Sequence, residues 1–175
     1  MGKIDGLNIY NTPTDKYGKI ETMNATNPYY ITGFVEGEGS FYVGVLPRAK
    51  NNSKWEIRPS FSLSQNIRSA NLVHLMKEFF RCGTIRVSKG DNTLKYEVRD
   101  LISLNQIILP HFRKYPLKGE KQKDFEAFEK IIFIMNEKRH LNKNGVREIA
   151  KIARSMSRNP KRIKFLDHAT TLLKE

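Results

Sequence analysis

The chain has almost no cysteine, no long apolar run and comparatively few acidic residues. Cys82 is the only cysteine among 175 residues, which excludes an intrachain disulfide and a cysteine-based zinc site. No apolar run approaches the roughly 20 residues that cross a membrane, and Met1 to Asn27 lacks the apolar segment of a secretory signal. We therefore expect an intracellular protein without a membrane partner, located in the cytoplasm or in an organelle if the host is eukaryotic.

The shortage of acidic residues leaves a large positive charge. The chain has 18 Asp and Glu against 31 Lys and Arg, which gives a formal net charge of +13. Such an excess favours a polyanionic partner, and nucleic acid is the first candidate. The sequence contains neither GxGxxG nor GxxxxGK[ST], which excludes the usual dinucleotide and P-loop sites. The four histidines lack metal-ligand spacing, so we assign them no catalytic role: His74, His111, His140 and His168.

The length fits one domain, which we place at residues 27–157, between an N-terminal extension (1–26) and a basic C-terminal tail (158–175). The order of elements predicts an α+β domain, a four-stranded antiparallel sheet with helices packed on one face, without an internal repeat. Strands are expected at 40–49, 54–65, 84–89 and 93–99. Helices are expected from Asn27-Pro28, after a cap at Ser69, from Asp100 to near Pro110, at 120–139 and at 145–156.

The segment YITGFVEGEGS, residues 30–40, joins the first helix to the first strand. Gly33 and Gly37 are four residues apart, so they share one helical face and allow a second backbone to approach closely. Glu36 and Glu38 would point in different directions on a continuing helix, and with glycines on either side of it Glu38 can project beyond the helix end. A carboxylate in that position suits a hard divalent cation. A glycine-rich helix end with solvated acids is the alternative, but the basic, alternating strands that follow favour a functional site.

This segment resembles the LAGLIDADG motif of homing endonucleases, and residues 28–156 are similar to a single-motif member of that family. Both acids are glutamates, Glu36 and Glu38, where the motif usually has aspartates. The resemblance implies that Glu38 is the catalytic metal ligand, assisted by the backbone carbonyl of Gly37, and that Glu36 is structural. It also implies Mg²⁺ as the cofactor, with Mn²⁺ able to substitute and Ca²⁺ supporting binding without cleavage.

Two weaker matches add catalytic candidates. Gln65, at the end of the second strand, matches a family glutamine that orients solvent in the active site. Residues 115–125 resemble the segment that carries the active-site lysine, which leaves Lys118 and Lys121 as candidates. The Lys-x-x-Asp-Phe spacing favours Lys121.

The motif occurs once, and one copy cannot cut both strands of a duplex. The chain is therefore expected to act as a homodimer whose interface includes Gly33, Gly37, Ile31 and Phe34. Two-fold symmetry of the protein predicts a long pseudo-palindromic target in double-stranded DNA, cut in both strands.

In this family the sheet lies in the DNA major groove, which accepts a β-ribbon. The family often has a basic residue where Ser69 stands here, and Arg68 is the candidate substitute. The strand positions expected to face DNA are Tyr42, Gly44, Leu46, Arg48, Lys54, Glu56, Arg58, Ser60, Ser62, Thr84, Arg86, Ser88, Lys95, Glu97 and Arg99. Turn and tail cations suited to phosphate contacts are Lys50, Lys89, Lys161, Arg162 and Lys164.

Two alternatives remain open. The same fold serves as an intron RNA splicing cofactor, a maturase, which would make intron RNA the partner. A non-cleaving DNA-binding regulator is the second. Glu38 and Gln65 are both present, which favours cleavage.

Overall fold

The computed structural model describes residues 27–88 and 90–173, so the predicted extension and Lys89 lie outside it. The predicted fold is confirmed: a four-stranded antiparallel sheet of order β1-β2-β4-β3 carries helices on one face. Its strands are β1 (Gly39–Pro47), β2 (Trp55–Asn66), β3 (Thr84–Ser88) and β4 (Thr93–Val98). Its helices are α1 (Pro28–Glu38), α2 (Ala70–Phe80), α3 (Leu101–Ser103), α4 (Leu109–Lys114), α5 (Glu120–Asn136), α6 (Lys143–Ser155) and α7 (Pro160–Leu172). No helix within the described ranges is long and apolar enough to span a membrane.

Helix α1 begins at its predicted cap and passes directly into β1. The Asn27 side chain accepts hydrogen bonds from two backbone N–H groups of the first turn, at 3.0 and 3.4 Å, and Pro28 follows it. The helix continues to Glu38, and Gly39 then starts the strand. A Cβ at Gly39 would lie 2.7 Å from the carbonyl oxygen of Val35, so only glycine permits this abrupt joint. The joint makes Glu38 the last residue of the helix.

The core lies between the sheet and helices α2, α4, α5 and α6. Phe41 of β1 and Phe61 of β2 stack with ring centroids 5.3 Å apart. Phe112, Phe125 and Phe128 surround Phe41 at centroid distances of 5.4, 5.5 and 5.4 Å. The apolar side chains of β2 face the helices, as the alternation in its sequence predicts, and its Ser and Arg side chains lie on the opposite face.

Two helices, the one near Pro110 and the one after Ser69, are built differently from the prediction. The helix expected to end near Pro110 continues to Lys114, because a π-helical turn, Leu104–Ile108, precedes the proline. Pro110 directly follows this π-helical turn, whose locally altered hydrogen-bond pattern accommodates the missing N–H of the proline within the continuous helical run. Ser69 makes no capping hydrogen bond; Asn66 instead caps the 3₁₀ turn that leads into α2, accepting from the N–H of Arg68 at 3.0 Å.

The expected C-terminal tail is also different, because most of it forms helix α7. Asn159 caps this helix and Pro160 begins it, which repeats the Asn-Pro start of α1. Leu166 and Ala169 are buried. Arg154 of α6 contacts Asp167 of α7 at 2.5 Å. The residues after 157 therefore extend the domain instead of leaving it.

A buried histidine anchors α1 to α4. The Thr32 hydroxyl donates to the carbonyl oxygen of Tyr115 at 3.0 Å and lies 3.1 Å from Nε2 of His111. Because that hydroxyl hydrogen is already donated, the His111 ring must donate through Nε2–H. Burial lowers the pKa of His111 from 6.5 to about 4, so the ring is neutral at pH 7. His111 therefore has a structural role, holding α1 against α4.

This anchor predicts a dependence of stability on pH. Between pH 6.5 and pH 4 the unfolded chain protonates this histidine while the folded chain does not, so stability falls as the pH falls through that window. Thermal unfolding at pH 7.5, 6.0 and 4.5 should show this decline. A His111→Gln variant should have a lower melting temperature at pH 7.5 and a flatter pH dependence. An equally steep decline in the variant would assign the effect to other groups.

Candidate active site and nucleic-acid interface

Helix α1 leaves one stripe of its surface open. Gly33 and Gly37 are exposed, and a Cβ on either would meet no atom within 4 Å. Tyr29, one turn earlier on the same stripe, is 67% exposed, and Phe34 beside it is half-buried. Ile31 is 0% exposed, because it faces the core of its own chain. The prediction that Ile31 contacts a partner is therefore wrong, since one side of a helix cannot pack in both directions.

Glu38 lies at the open end of this helix. Its side chain is exposed and has no hydrogen-bond or ion-pair partner among residues 27–88 and 90–173. The last carbonyl groups of a helix, here including that of Gly37, lack intrahelical donors and carry partial negative charge. A free carboxylate and a free carbonyl oxygen fit a hard divalent cation. The described part of the chain has no cluster of three or more His, Cys, Asp or Glu side chains, so such an ion would need further oxygens from water, phosphate or a second chain.

Glu36, two residues earlier, is engaged within the chain. Its carboxylate accepts hydrogen bonds from the backbone N–H groups of Lys118 at 2.8 Å and Gly119 at 3.3 Å. Gly119 is the N-cap of α5 and provides no side-chain cap of its own. Glu36 thus caps α5 from α1, and its negative charge is favourable at a helix N-terminus. This contact supports the structural role expected of Glu36.

One of the two candidate lysines contacts the residue that follows Glu38. Nζ of Lys121, in the first turn of α5, donates to the carbonyl oxygen of Gly39 at 2.5 Å. Lys118 contributes its backbone N–H to Glu36, and its side chain is exposed. The placement therefore favours Lys121, whose ammonium group is held beside the residue that follows Glu38.

Gln65 reaches the same end of the sheet. The β1–β2 register pairs Gly39 with Leu63, so Gln65 lies two residues further, alongside the end of α1. Arg68 follows in the exposed 3₁₀ turn after β2. Gly39, the residue after Glu38, therefore pairs with Leu63 of β2 and accepts a hydrogen bond from Lys121 of α5.

The second feature is the sheet face that points away from the helices. We call this surface the groove face, and the residues that line it are Ser40, Tyr42, Gly44, Leu46, Arg58, Ser60, Ser62, Lys95, Glu97 and Arg99. Leu46, Arg48, Thr84, Arg86 and Ser88 are exposed on or beside this face. Cations from β2, β3 and β4 thus share one surface.

Three residues expected to be open to solvent are buried at the floor of this face. Ser60 is 6% exposed, Ser62 is 5% exposed and Glu97 is 3% exposed. The serines are too short to rise above the longer side chains around them, such as Tyr42 and Arg58. Direct base contact from these three positions is therefore not favoured.

Glu97 instead organises the cations above it. Its carboxylate contacts Arg86, Lys95 at 3.2 Å and Arg99 at 2.9 Å. Burial raises the pKa of Glu97, but the hydrogen bonds and charges of Lys95 and Arg99 outweigh it and hold the pKa below its ordinary value. The carboxylate is therefore ionised and fixes three partly exposed cations. A smaller group lies at the other end, where Glu56 contacts Arg58 at 2.9 Å and Arg48 at 3.4 Å.

This arrangement predicts the effect of Glu97→Gln. Removing the negative charge leaves three cations uncompensated, so binding to random DNA should strengthen several-fold and its salt dependence should steepen by about one counterion. Discrimination between target and random DNA should decrease, because the cations lose their fixed geometry. Titrations of both duplexes at several salt concentrations test this. A loss confined to one base pair would instead mean that Glu97 contacts a base directly.

The cations assigned to phosphate contacts have different surroundings. Lys50, Lys161 and Lys164 are exposed. Lys54, which was predicted on the second strand, lies in the β1–β2 turn instead, where its Nζ donates to the carbonyl oxygen of Ala49 at 3.2 Å. These positions remain compatible with phosphate contacts. Arg162 is the exception, since it is half-buried against β1.

A family model described as LAGLIDADG endonuclease matches residues 31–132, which is more than half of the chain. The chain belongs to the LAGLIDADG endonuclease family. The match begins in α1 and ends in α5, so it includes Glu38, Gln65 and Lys121. The fold and the family expected from the motif are both confirmed.

Individual LAGLIDADG proteins are also similar to this chain. A probable intron-encoded endonuclease 2 of Neurospora crassa is 36% identical over 124 residues, which are 70% of this chain and 27% of that protein. The crystal structure of the homing endonuclease I-TnaI superposes with a TM-score of 0.76 at 31% identity, over 83% of this chain and 97% of that one. I-SmaMI bound to an uncleaved DNA target in the presence of calcium ions gives a TM-score of 0.74 at 27% identity, over 78% and 46%.

The chain spans 27%, 30% and 31% of the length of three curated relatives.

Two features of this LAGLIDADG domain that lie outside the motif were not predicted from its sequence. Helix α7 carries the Asn159-Pro160 signature already used for α1, so it was detectable. The Glu97 cluster was not, because its three cations come from both β3 and β4 and converge only in the folded sheet.

Proposed function

We propose that the protein is a site-specific DNA endonuclease that hydrolyses both strands of a long pseudo-palindromic target as a homodimer with Mg²⁺. One observation carries the proposal: Glu38 is a free carboxylate at the end of a helix whose glycine stripe is open. Each chain would then supply one half of the active site and, next to it, one half of the dimer interface. Membership of the LAGLIDADG family supports the activity.

The exposed glycine stripe of α1 supports a dimer with two-fold symmetry. Two copies of α1 packed through Gly33 and Gly37 can approach closely, because the space where a Cβ would stand on either glycine has no atom of the same chain within 4 Å. Each helix ends in Glu38, so a two-fold axis along this contact brings two carboxylates together. A closed two-fold dimer matches two related half-sites in DNA.

Each chain contributes the same groups to the reaction. Glu38 and the carbonyl oxygen of Gly37 would hold Mg²⁺, which supplies an activated water and stabilises the leaving oxygen. Lys121 presents an ammonium group with two further donors to the charge that develops on the phosphate. Gln65 orients solvent at the strand end. Mn²⁺ should replace Mg²⁺, and Ca²⁺ should support binding alone.

The groove face accounts for recognition. A twisted antiparallel sheet fits the major groove, where Arg and Lys can donate to guanine. Arg58, Arg86, Lys95 and Arg99 lie on that surface, in positions fixed by Glu56 and Glu97. Many phosphate contacts from a protein of net charge +13 would make binding weaken steeply with salt.

The test is cleavage of duplexes that the wild-type protein selects from a randomised library. Selected duplexes, cloned into a plasmid, should be linearised with Mg²⁺ and bound but uncut with Ca²⁺. Sedimentation should show a dimer on the DNA. Binding without cleavage in any divalent ion would support a DNA-binding regulator instead, and preference for a structured intron RNA would support the splicing cofactor.

A further inference from the structure

Arg162 of α7 makes two contacts with β1, although the sequence assigns it to phosphate. Its Nη2 atom donates to the carbonyl oxygen of Val43 at 2.8 Å. Its guanidinium carbon lies 4.2 Å from the ring centroid of Tyr42, which is within the range of a cation–π contact. The side chain is half-buried, so its donors face the protein. Lys161 and Lys164, on the same helix, are exposed.

The strand register shows what the Val43 contact does. The N–H of Arg48 donates to the carbonyl oxygen of Lys54 at 2.7 Å, one step beyond the Pro47–Trp55 pair. Hydrogen-bonded and non-hydrogen-bonded pairs alternate along an antiparallel ladder. Val43 is five residues from Arg48, so it belongs to a non-hydrogen-bonded pair. Its carbonyl therefore points away from β2, toward the free edge of β1. Arg162 satisfies that edge carbonyl.

Helix α7 is firmly held, so it can fix the position of Arg162. The Asn159 side chain accepts from the backbone N–H of Arg162 at 3.2 Å. Leu166 is buried below, and the Phe165 ring lies 6.4 Å from Trp55 at the start of β2. The guanidinium plane thus joins a rigid helix to the ring of Tyr42.

We propose that Arg162 is a positioning residue that holds Tyr42 in place to contact a base pair from the groove face. Tyr42 is 43% exposed on that face, between the edge of the sheet and Arg58, and its ring can meet a thymine methyl group. The inference rests on the proposed DNA-binding function. It adds α7, which lies beyond residues 31–132, to the elements that determine specificity.

The experiment compares Arg162→Lys, Arg162→Gln, Tyr42→Leu and Lys164→Ala on the selected target and on its single-base-pair variants. Arg162→Lys keeps the charge but not the planar group that stacks and donates at once. We expect Arg162→Lys and Arg162→Gln alike to reduce discrimination about tenfold at the base pairs sensitive to Tyr42→Leu. Lys164→Ala should weaken binding uniformly and lower the salt slope by about one.

A double substitution separates positioning from direct contact. Adding Arg162→Gln to Tyr42→Leu should cause no further loss of discrimination, because Arg162 acts through the ring. Circular dichroism and melting temperature check that each variant is folded. The proposal is overturned if Arg162→Lys behaves as wild type while Arg162→Gln weakens all duplexes equally, or if the two losses add. If the wild type selects no DNA at all, it is the proposed function that fails.

Discussion

A Glu38→Gln variant should bind its DNA target as tightly as the wild type and cut neither strand. The substitution is close in shape, and Glu38 is exposed without an intrachain partner in the described residues, so folding stability should not change. Losing the carboxylate ligand removes several kcal/mol of transition-state stabilisation, on the order of 10³-fold in rate. Plasmid cleavage under single-turnover conditions with Mg²⁺ measures the loss, and binding in Ca²⁺ provides the comparison.

Glu36→Gln is the matched control, because it makes the same chemical change two residues away. Glu36 caps α5 through Lys118 and Gly119, so this variant should lose about 1 kcal/mol of stability and lower the melting temperature. It should retain Mg²⁺-dependent cleavage at a reduced rate, since Lys121 lies in the helical turn that Glu36 caps. Abolished cleavage in Glu36→Gln together with activity in Glu38→Gln would reverse the two assignments.

The second large effect is expected from Gly33→Leu. The added side chain meets no atom of its own chain near the Cβ, and leucine favours a helix over glycine by roughly 0.8 kcal/mol, so the monomer should be at least as stable. The same side chain prevents two α1 helices from approaching closely. Sedimentation should show monomers where the wild type shows dimers, and double-strand cleavage should disappear.

Gly90→Leu serves as the control for Gly33→Leu. A Cβ at Gly90 also meets nothing within 4 Å, but this residue lies in the β3–β4 turn and is not part of α1. Its dimerisation should remain at the wild-type level. A Gly33→Leu variant that still sediments as a dimer, or a wild type that stays monomeric on DNA, would contradict an interface along the glycine stripe.

Local signals explain why the fold and the centre of the site could be predicted from the sequence. The Asn27-Pro28 start and the glycine at 39 are chemical requirements of the helix start and of the helix-to-strand joint. The alternation in β2 assigns Phe61 inward and Arg58 outward because strand side chains alternate. Glu38 is selected by its place between two glycines together with the resemblance to the LAGLIDADG motif, and its role as a metal ligand stays a prediction.

The rest depends on contacts between distant parts of the chain. Helical spacing places Ile31 on an apolar stripe, but it cannot show whether that stripe faces its own core or a partner. The alternation of side chains along the strand places Glu97 on the outward face, but only the folded sheet shows three cations above it. Arg162 appears as one more charge in a basic segment until α7 brings it to Val43, 119 positions earlier.

The most direct measurement uses a heterodimer of one wild-type chain and one Glu38→Gln chain, purified through two different affinity tags. If each chain supplies one carboxylate to one strand, the heterodimer should nick supercoiled target plasmid in the presence of Mg²⁺ and should not linearise it. The wild-type homodimer should linearise the plasmid, and the homodimer of two Glu38→Gln chains should leave it intact. Linearisation by the heterodimer at the wild-type rate would contradict a site divided between two copies of α1.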